Sequence, residues 1–343
     1  MFDPPVTKPM SSSEYSAVRD GAAGLIDLSS RGRILVSGSE AVMFLNGLIT
    51  NDMKSLAVNA WMPAAFANVQ GRLLAAVRVI HRADGFLIDT ESETRDDVIK
   101  LVERFTFAGD FKVTDLSTEM ALLSVQGAKA ADFVRSVLGA EAANVQRQCV
   151  TTAQFEGAAV TVIRDTHTAE DGFDLFVEAN AATKIRDTLT NAGATTFSEQ
   201  TLETLRIEAG IPRYGIDMDE SNVVTETNLD DAVSFTKGCY IGQEIIVRIK
   251  HRGHVAKKLA GVILDEAKPA PRNSKIISND EKEIGRVTSS TFSPRLNRAI
   301  ALGFVKYDYL APGTRIKVSS DVGSIDGEVS ALPFVKGSWY EAP

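Results

Sequence analysis

The sequence predicts an α+β protein in which two similar α+β subdomains are followed by a separate small β-barrel. Strand-like and helix-like stretches alternate through the first two-thirds and run twice through the order strand, helix, paired strands, helix, at about 100-residue spacing, with no sequence repeat good enough to align. From about Val255 the apolar runs become short and are punctuated by Gly, Pro and Asn, with no convincing helix among them. With 44% hydrophobic and 24% charged residues, the 343-residue chain has globular composition and room for two or three cores.

Met1 to Ser13, with three prolines and three serines, reads as a loose lead-in rather than an element. Arg33 to Val36 is the first strand, and Ser39 is placed to cap a helix over Ser39 to Ile49. Met62 to Val69, Leu73 to His81 and Phe86 to Asp89, separated by Gln70-Gly71-Arg72 and Ala83-Asp84-Gly85, form a three-strand antiparallel meander. Val98, Leu101, Val102 and Phe105 give Thr94 to Phe107 a helical spacing, and Phe111 to Val113 and Met120 to Val125 return to strand. A helix over Ala128 to Leu138 stops at Gly139. Cys149 stands at the start of a further strand. Ala158 to Ile163 and Phe173 to Val177 follow as strands, then helices over Ala181 to Ala192 and Ser198 to Ala209. Lys257 to Leu264, Lys275 to Ile277, Glu283 to Ser289, Ala299 to Val305, Arg315 to Val318 and Gly323 to Val329 supply the barrel. The division is therefore 14–254 and 255–343.

A formal charge of -8 opposes generic binding to a polyphosphate surface, so no direct nucleic-acid partner is expected. No apolar h-region opens the chain and no run reaches the roughly 18 apolar residues of a membrane helix, so no membrane partner is expected either. Cys149 and Cys239 are too few for a disulfide scaffold, a usage that suits a reducing cytoplasm. Neither a nucleotide-binding glycine loop nor a Ser/His/Asp signature is visible.

The charge swings sharply near residue 230. Asp217 to Asp231 carries six acids and no base, whereas Lys237 to Lys258 carries six bases against Glu244, a swing that two solvated faces pairing with each other would account for. Within the basic stretch, Lys237-Gly238-Cys239-Tyr240-Ile241-Gly242-Gln243-Glu244 leads into a helix over Gln243 to Lys250. A cation and a helix N-terminus both favour a thiolate, which makes Cys239 a candidate nucleophile, redox group or ligand; the alternative is a small buried hydrophobe. His251 and His254, three apart, have a ligating spacing with Cys239 as a third donor, but Gly253 ends the helix between them and no metal is expected.

KGCYIGQEIIVRIKHRG resembles the signature of the YgfZ-type folate-binding proteins of iron–sulfur cluster maintenance, relatives of the glycine-cleavage T-protein, an aminomethyltransferase. Leu205 to Pro212, Gly285 to Ser289, Ser293-Pro294 and Ile300 to Gly303 extend the resemblance, which runs from about Gly21 to Phe334. It implies a cloverleaf of two intertwined α+β subdomains and a C-terminal barrel around a central channel for tetrahydrofolate or another reduced folate. It implies Cys239 as the reactive group beside Lys237, and Glu208 as the carboxylate on the pterin edge. Tyr214 or Tyr240 would lie on the pterin, Gln243 beside them, and Arg248 with Lys250 would receive the glutamate tail. Arg72, on the Asn68 to Arg72 hairpin, would point into the channel.

The function implied is a cytoplasmic tetrahydrofolate-binding accessory protein for assembly or repair of iron–sulfur enzymes, with those client or assembly proteins as partners. The alternative is a tetrahydrofolate-dependent aminomethyltransferase; an indirect role in tRNA modification is a weaker third. Catalytic turnover is left open and leans against an aminomethyltransferase. The resemblance lays Leu74 and Ala75 on two positions where T-proteins carry acids facing the reacting nitrogen, and neither takes a proton. Asp217 is the acid elsewhere in the channel that would substitute.

Overall fold

The computed structural model describes residues 11–104, 109–321 and 323–341, and the backbone alone at Arg252. The lead-in before Ser11 and the end of the predicted Thr94 to Phe107 helix, including Phe105, lie outside the described residues.

Helix α1 (Ser12–Arg19) precedes β1 (Gly24–Asp27), β2 (Gly32–Ser37), α2 (Ala41–Leu48), β3 (Trp61–Ala67), β4 (Leu73–Arg82), β5 (Gly85–Thr90), α3 (Arg95–Glu103), β6 (Lys112–Asp115) and β7 (Met120–Gln126). The second round is α4 (Ala130–Leu138), α5 (Ala140–Ala143), β8 (Val150–Phe155), β9 (Ala158–Arg164), β10 (Gly172–Glu178), α6 (Ala179–Asn191), β11 (Thr195–Thr196) and α7 (Glu199–Glu208). A long loop and α8 (Gln243–Arg252) then lead to β12 (Lys257–Leu264), β13 (Lys275–Ser278), β14 (Glu283–Ser293), β15 (Arg298–Lys306), β16 (Arg315–Ser320) and β17 (Gly323–Ser330).

The strands form a five-stranded sheet, β3-β4-β5-β2-β6, a six-stranded sheet, β11-β1-β7-β10-β9-β8, and a closed barrel, β12-β15-β14-β13-β16-β17. Strand β1 precedes the first sheet in sequence yet pairs with β7 and β11 of the second, and that exchange interleaves the two subdomains. Alternation within each strand then decides what each face covers. Val77 and Val79 pack on α2 and α3 beside Leu45 and Val98, and Leu123 and Leu175 pack on α4 and α6 beside Val134 and Ile185. The opposite faces meet each other through Trp61, Ile80 and Leu87 of one sheet and Leu122, Ile163 and Phe176 of the other. The barrel closes around Val262, Ile276, Val287 and Val318 and docks its β15 residues Ile300, Leu302 and Phe304 near Ile207 of α7. No helix among the described residues is long and apolar enough to cross a membrane.

Two sequence expectations need correction here. The lead-in reading reached two residues too far and no helix was expected after it, whereas α1 begins at Ser12 and buries Tyr15 and Val18 against Phe197 and Leu205. Ser39 does not cap α2 either. Its hydroxyl donates to Asp110 Oδ2 at 2.6 Å, and the helix starts two residues later with Glu40 at the cap position and no side-chain cap. By contrast, Ser198 does cap α7, accepting from Thr201 N at 3.4 Å.

Candidate functional site

A cavity of about 1120 Å³ opens where the two sheets, the long loop and the barrel come together. Its size suits a folate-sized ligand. The β3–β4 hairpin contributes Trp61, Ala64 and Ala76, the loop between β9 and β10 contributes Asp165 and His167, and the long loop contributes Tyr214. Ala75 instead belongs to the core beneath α2 and α3 and Leu74 packs against it, and β4 lines the cavity with Ala76, Val77 and Arg78, none of them an acid.

Arg78, two residues further along the same face of β4, anchors an ionic network between the sheets. Its Nε donates to Asp89 Oδ2 at 2.9 Å on β5, and its Nη1 donates to Asp174 Oδ2 at 2.5 Å on β10 and to Asp165 Oδ2 at 2.9 Å. Arg31 holds Asp89 from the other side at 2.8 Å and also pairs with Glu91. Burial alone would push these carboxyls up; Arg31 and Arg78 outweigh it at Asp89, and His167 followed by Arg78 outweighs it at Asp174, so both are held below the usual carboxylate range. His167 closes the network, with Nε2 3.0 Å from Asp174 Oδ2. Burial works against its imidazolium, but the charge and hydrogen bond of Asp174 outweigh burial and raise its pKa above the ordinary value.

Trp61 is buried on the cavity wall with its indole N–H lacking an acceptor among the described residues. Tyr214 presents a ring whose hydroxyl is pushed up to about 12 by burial and by the charges of Asp219, Glu220 and Asp97. A flat heteroaromatic with acceptor edges fits such a wall: it can stack on the rings and satisfy the orphaned donor. The segment after the barrel covers part of the cavity. Ser338 donates through N and Oγ to Glu170 Oε2 at 2.8 and 2.7 Å, Trp339 N donates to Ala169 O at 3.1 Å, and the Arg147 guanidinium lies 3.9 Å over the Trp339 ring.

Of the eight residues singled out from the sequence, Tyr214 alone lines this cavity. Glu208 is fully buried and its oxygens are filled: they accept from Tyr15 at 2.8 and 2.9 Å, from Arg19 Nε and Nη2 at 3.1 and 2.8 Å, and from Ser293 at 2.5 Å. No acceptor capacity is left for a pterin edge. The Lys237 ammonium is engaged by the backbone. It donates to the carbonyls of Asn46, Ile49 and Asn51 at 2.7, 2.9 and 2.5 Å, tying down the chain as it leaves α2, and burial lowers its pKa to about 8.

Cys239 is exposed on the loop before α8, away from the cavity lining, which also disposes of the buried-hydrophobe alternative. Tyr240 packs into a core with Ala65, Leu73 and Met218, and its hydroxyl is pushed up to about 12 by burial. Gln243 reaches Lys237 O at 3.4 Å, and Arg248 is exposed and pairs with Glu244 on its own helix. Arg72 turns away to the carbonyl of Ser221, and Asn68 Oδ1 accepts from the Gln70 and Arg72 amides, so the hairpin tip is turn chemistry. Gly242 must be glycine: φ is 86° and a Cβ would sit 2.5 Å from Asn68 O.

Asp217, the substitute acid, is consumed by Arg206 at 2.7 Å and by Thr288 and Ser289 at 2.6 Å each. The acidic and basic stretches meet at Lys258–Asp230, 3.1 Å apart. His254 stacks on Tyr307 with centroids 3.8 Å apart. The residues missed from the sequence are Arg19, Arg78, Asp89, His167 and Asp174. For Arg78, Asp89 and Asp174 the signal was a charge inside an apolar strand, as in Val77-Arg78-Val79, Ile88-Asp89 and Phe173-Asp174-Leu175, whereas Arg19 on α1 and His167 in a loop carry no such signal.

Comparison with known proteins extends over the whole described fold. Residues 2–237 match the family described as the GCVT N-terminal domain, and residues 257–336 match the glycine cleavage T-protein C-terminal barrel domain. An aminomethyltransferase of Thermotoga neapolitana is 30% identical over 332 residues, 95% of this chain and 89% of that protein. One from Rubrobacter xylanophilus is 31% identical over 293 residues, 85% of this chain and 78% of that one. The crystal structure of glycine cleavage system aminomethyltransferase T from Bartonella henselae superposes with a TM-score of 0.85 at 22% identity, covering 94% of this chain and 89% of that one, and supports the fold. These relatives overturn the expectation of an iron–sulfur accessory protein, since proteins alike over nearly the full length carry the aminomethyltransferase name.

Proposed function

Because this chain belongs to the glycine cleavage T-protein family, we propose that it is a tetrahydrofolate-dependent aminomethyltransferase. The observation that carries the reading is likeness along the entire chain to relatives of that name, so that both the interleaved sheets and the barrel have counterparts. Reduced folate supplies the nitrogens that take up a one-carbon unit. Trp61 and Tyr214 would flank its ring, with the Trp61 N–H as a donor to it, while Arg78 and Arg31 hold the neighbouring carboxylates ionised and in place. The local likeness of Lys237 to Glu244 to the YgfZ-type branch is a likeness of sequence around an exposed thiol, with no iron–sulfur role attached to it.

Incubation with an aminomethylated lipoyl carrier and tetrahydrofolate tests this. Methylene-tetrahydrofolate and ammonia should form together at about 1 s⁻¹ or faster, within the ordinary range for enzymes. Failure to form either product at micromolar protein would overturn the proposal.

A further inference from the structure

Aminomethyl transfer moves protons, and the β3–β4 hairpin offers the cavity no carboxylate or imidazole, only apolar and aromatic side chains and the ion-paired Arg78. Of the carboxylates on the wall, Asp165 is paired with Arg78 at 2.9 Å, Glu91 with Arg31 and Asp230 with Lys258 at 3.1 Å, while Asp231 is exposed to solvent and its carboxylate has no partner among the described residues to set its orientation. His167 is placed differently. Its Nε2 meets Asp174 at 3.0 and 3.2 Å, its backbone N–H donates to Gln126 Oε1 at 2.9 Å, and its ring lies on the cavity wall, partly exposed. Nδ1 makes no hydrogen bond to the described residues. With Nε2–H turned to a buried carboxylate, the tautomer is set and Nδ1 is left as the basic nitrogen.

We propose that His167 is the catalytic proton carrier of this cavity and Asp174 its positioning residue, an assignment that rests on the aminomethyltransferase reading above. The charged groups facing the ring are Asp174 on β10, Arg78 on β4 and Asp165 in the loop; Arg78 is shared with Asp89, so the carboxylates around the ring strengthen Nδ1 as a base. The reaction has the balance R–S–CH₂–NH₂ plus two folate N–H groups giving R–SH, NH₃ and a CH₂ bridge between the two nitrogens. The carbon keeps its oxidation level, so no oxidant or reductant takes part. Two N–H protons leave as the two new C–N bonds form; one ends on ammonia as the old C–N bond breaks, and the other on sulfur. His167 Nδ1 accepts a proton from a folate nitrogen and returns one to the departing amine, so the ring ends the cycle as it began it.

His167→Gln tests the assignment, since Gln keeps a donor for Asp174 and cannot carry the proton. The expected result is a fall in kcat of about 100- to 10,000-fold with the tetrahydrofolate Kd, from titration calorimetry, within about threefold of wild type. The acid limb of the wild-type rate profile should also vanish. If wild type turns over and His167→Gln keeps kcat within about threefold, the assignment fails and the aminomethyltransferase reading stands. If wild type itself gives no product, both fail. Should the variant not fold, imidazole NMR on the wild-type protein decides: a His167 pKa that tetrahydrofolate shifts supports the role, and one it leaves unmoved overturns it.

Discussion

Both Nε and Nη2 of Arg19 donate to one oxygen of Glu208, Oε2, at 3.1 and 2.8 Å, where neither side chain reaches solvent. The pair joins α1 to α7, and Ser293 extends it to the barrel, while Arg19 Nη1 reaches Glu170 at 2.9 Å. A buried ion pair of this kind contributes modestly as a whole but leaves an uncompensated charge when halved.

Glu208→Ala should therefore lower stability by about 3–5 kcal/mol, measured by denaturant unfolding, and leave the tetrahydrofolate Kd of the folded protein unchanged. Normal stability with weakened folate binding would return Glu208 to the ligand site.

Lys237→Met removes the donor to three carbonyls beyond α2 and keeps the aliphatic stem. A loss of about 1–3 kcal/mol is expected, with kcat per folded molecule retained. A variant of wild-type stability that has lost turnover would show the ammonium to be catalytic after all.

The pH dependence of stability has two arms of opposite sign. Asp89 and Asp174 have depressed folded-state pKa values, so their stabilisation is complete above the unfolded carboxylate range near about 4 and fades as pH falls through the lower folded values. His167 has a raised one, so its stabilisation is complete below about 6.5 and fades as pH rises through the folded value. Unfolding free energy should decline above about pH 6.5, and His167→Gln should flatten that decline. An unaltered slope in the variant would remove His167 as its source.

Cys239 is exposed and is not among the residues that line the cavity. Cys239→Ser should change stability by no more than about 0.5 kcal/mol and leave methylene-tetrahydrofolate formation at the wild-type rate. Loss of turnover in a stable variant would place the thiol in the reaction.

The architecture was legible because it is written in periodicity. The alternation of Val77 and Val79 with Arg78 and Ile80 and the helical spacing of Val98 and Val102 are local properties, and the punctuated strands after Val255 closed into the barrel. The site was not legible, because it is assembled from segments far apart in the chain. Arg78 meets Asp174 across 96 positions, and Tyr15 meets Glu208 across 193. The Cys239 motif drew notice through its composition, yet its invariant-looking chemistry serves the loop: Lys237 holds carbonyls and Gly242 clears Asn68. His167, with nothing unusual beside it in sequence, becomes significant only once β10 sets Asp174 behind it.

The strap of Ser338 and Trp339 against Glu170, Ala169 and Arg147 has a consequence for biosynthesis. These residues follow the barrel in sequence, so a ribosome emitting the chain releases both sheets and all six barrel strands before the last piece of cavity wall. A nascent chain arrested just after β17 can be folded in most of its volume and still lack Trp339 and Tyr340 at the ligand's side. Whatever ligand the cavity takes would then meet a complete wall only after Trp339 and Tyr340 have emerged, later than the folding of the sheets that form most of it.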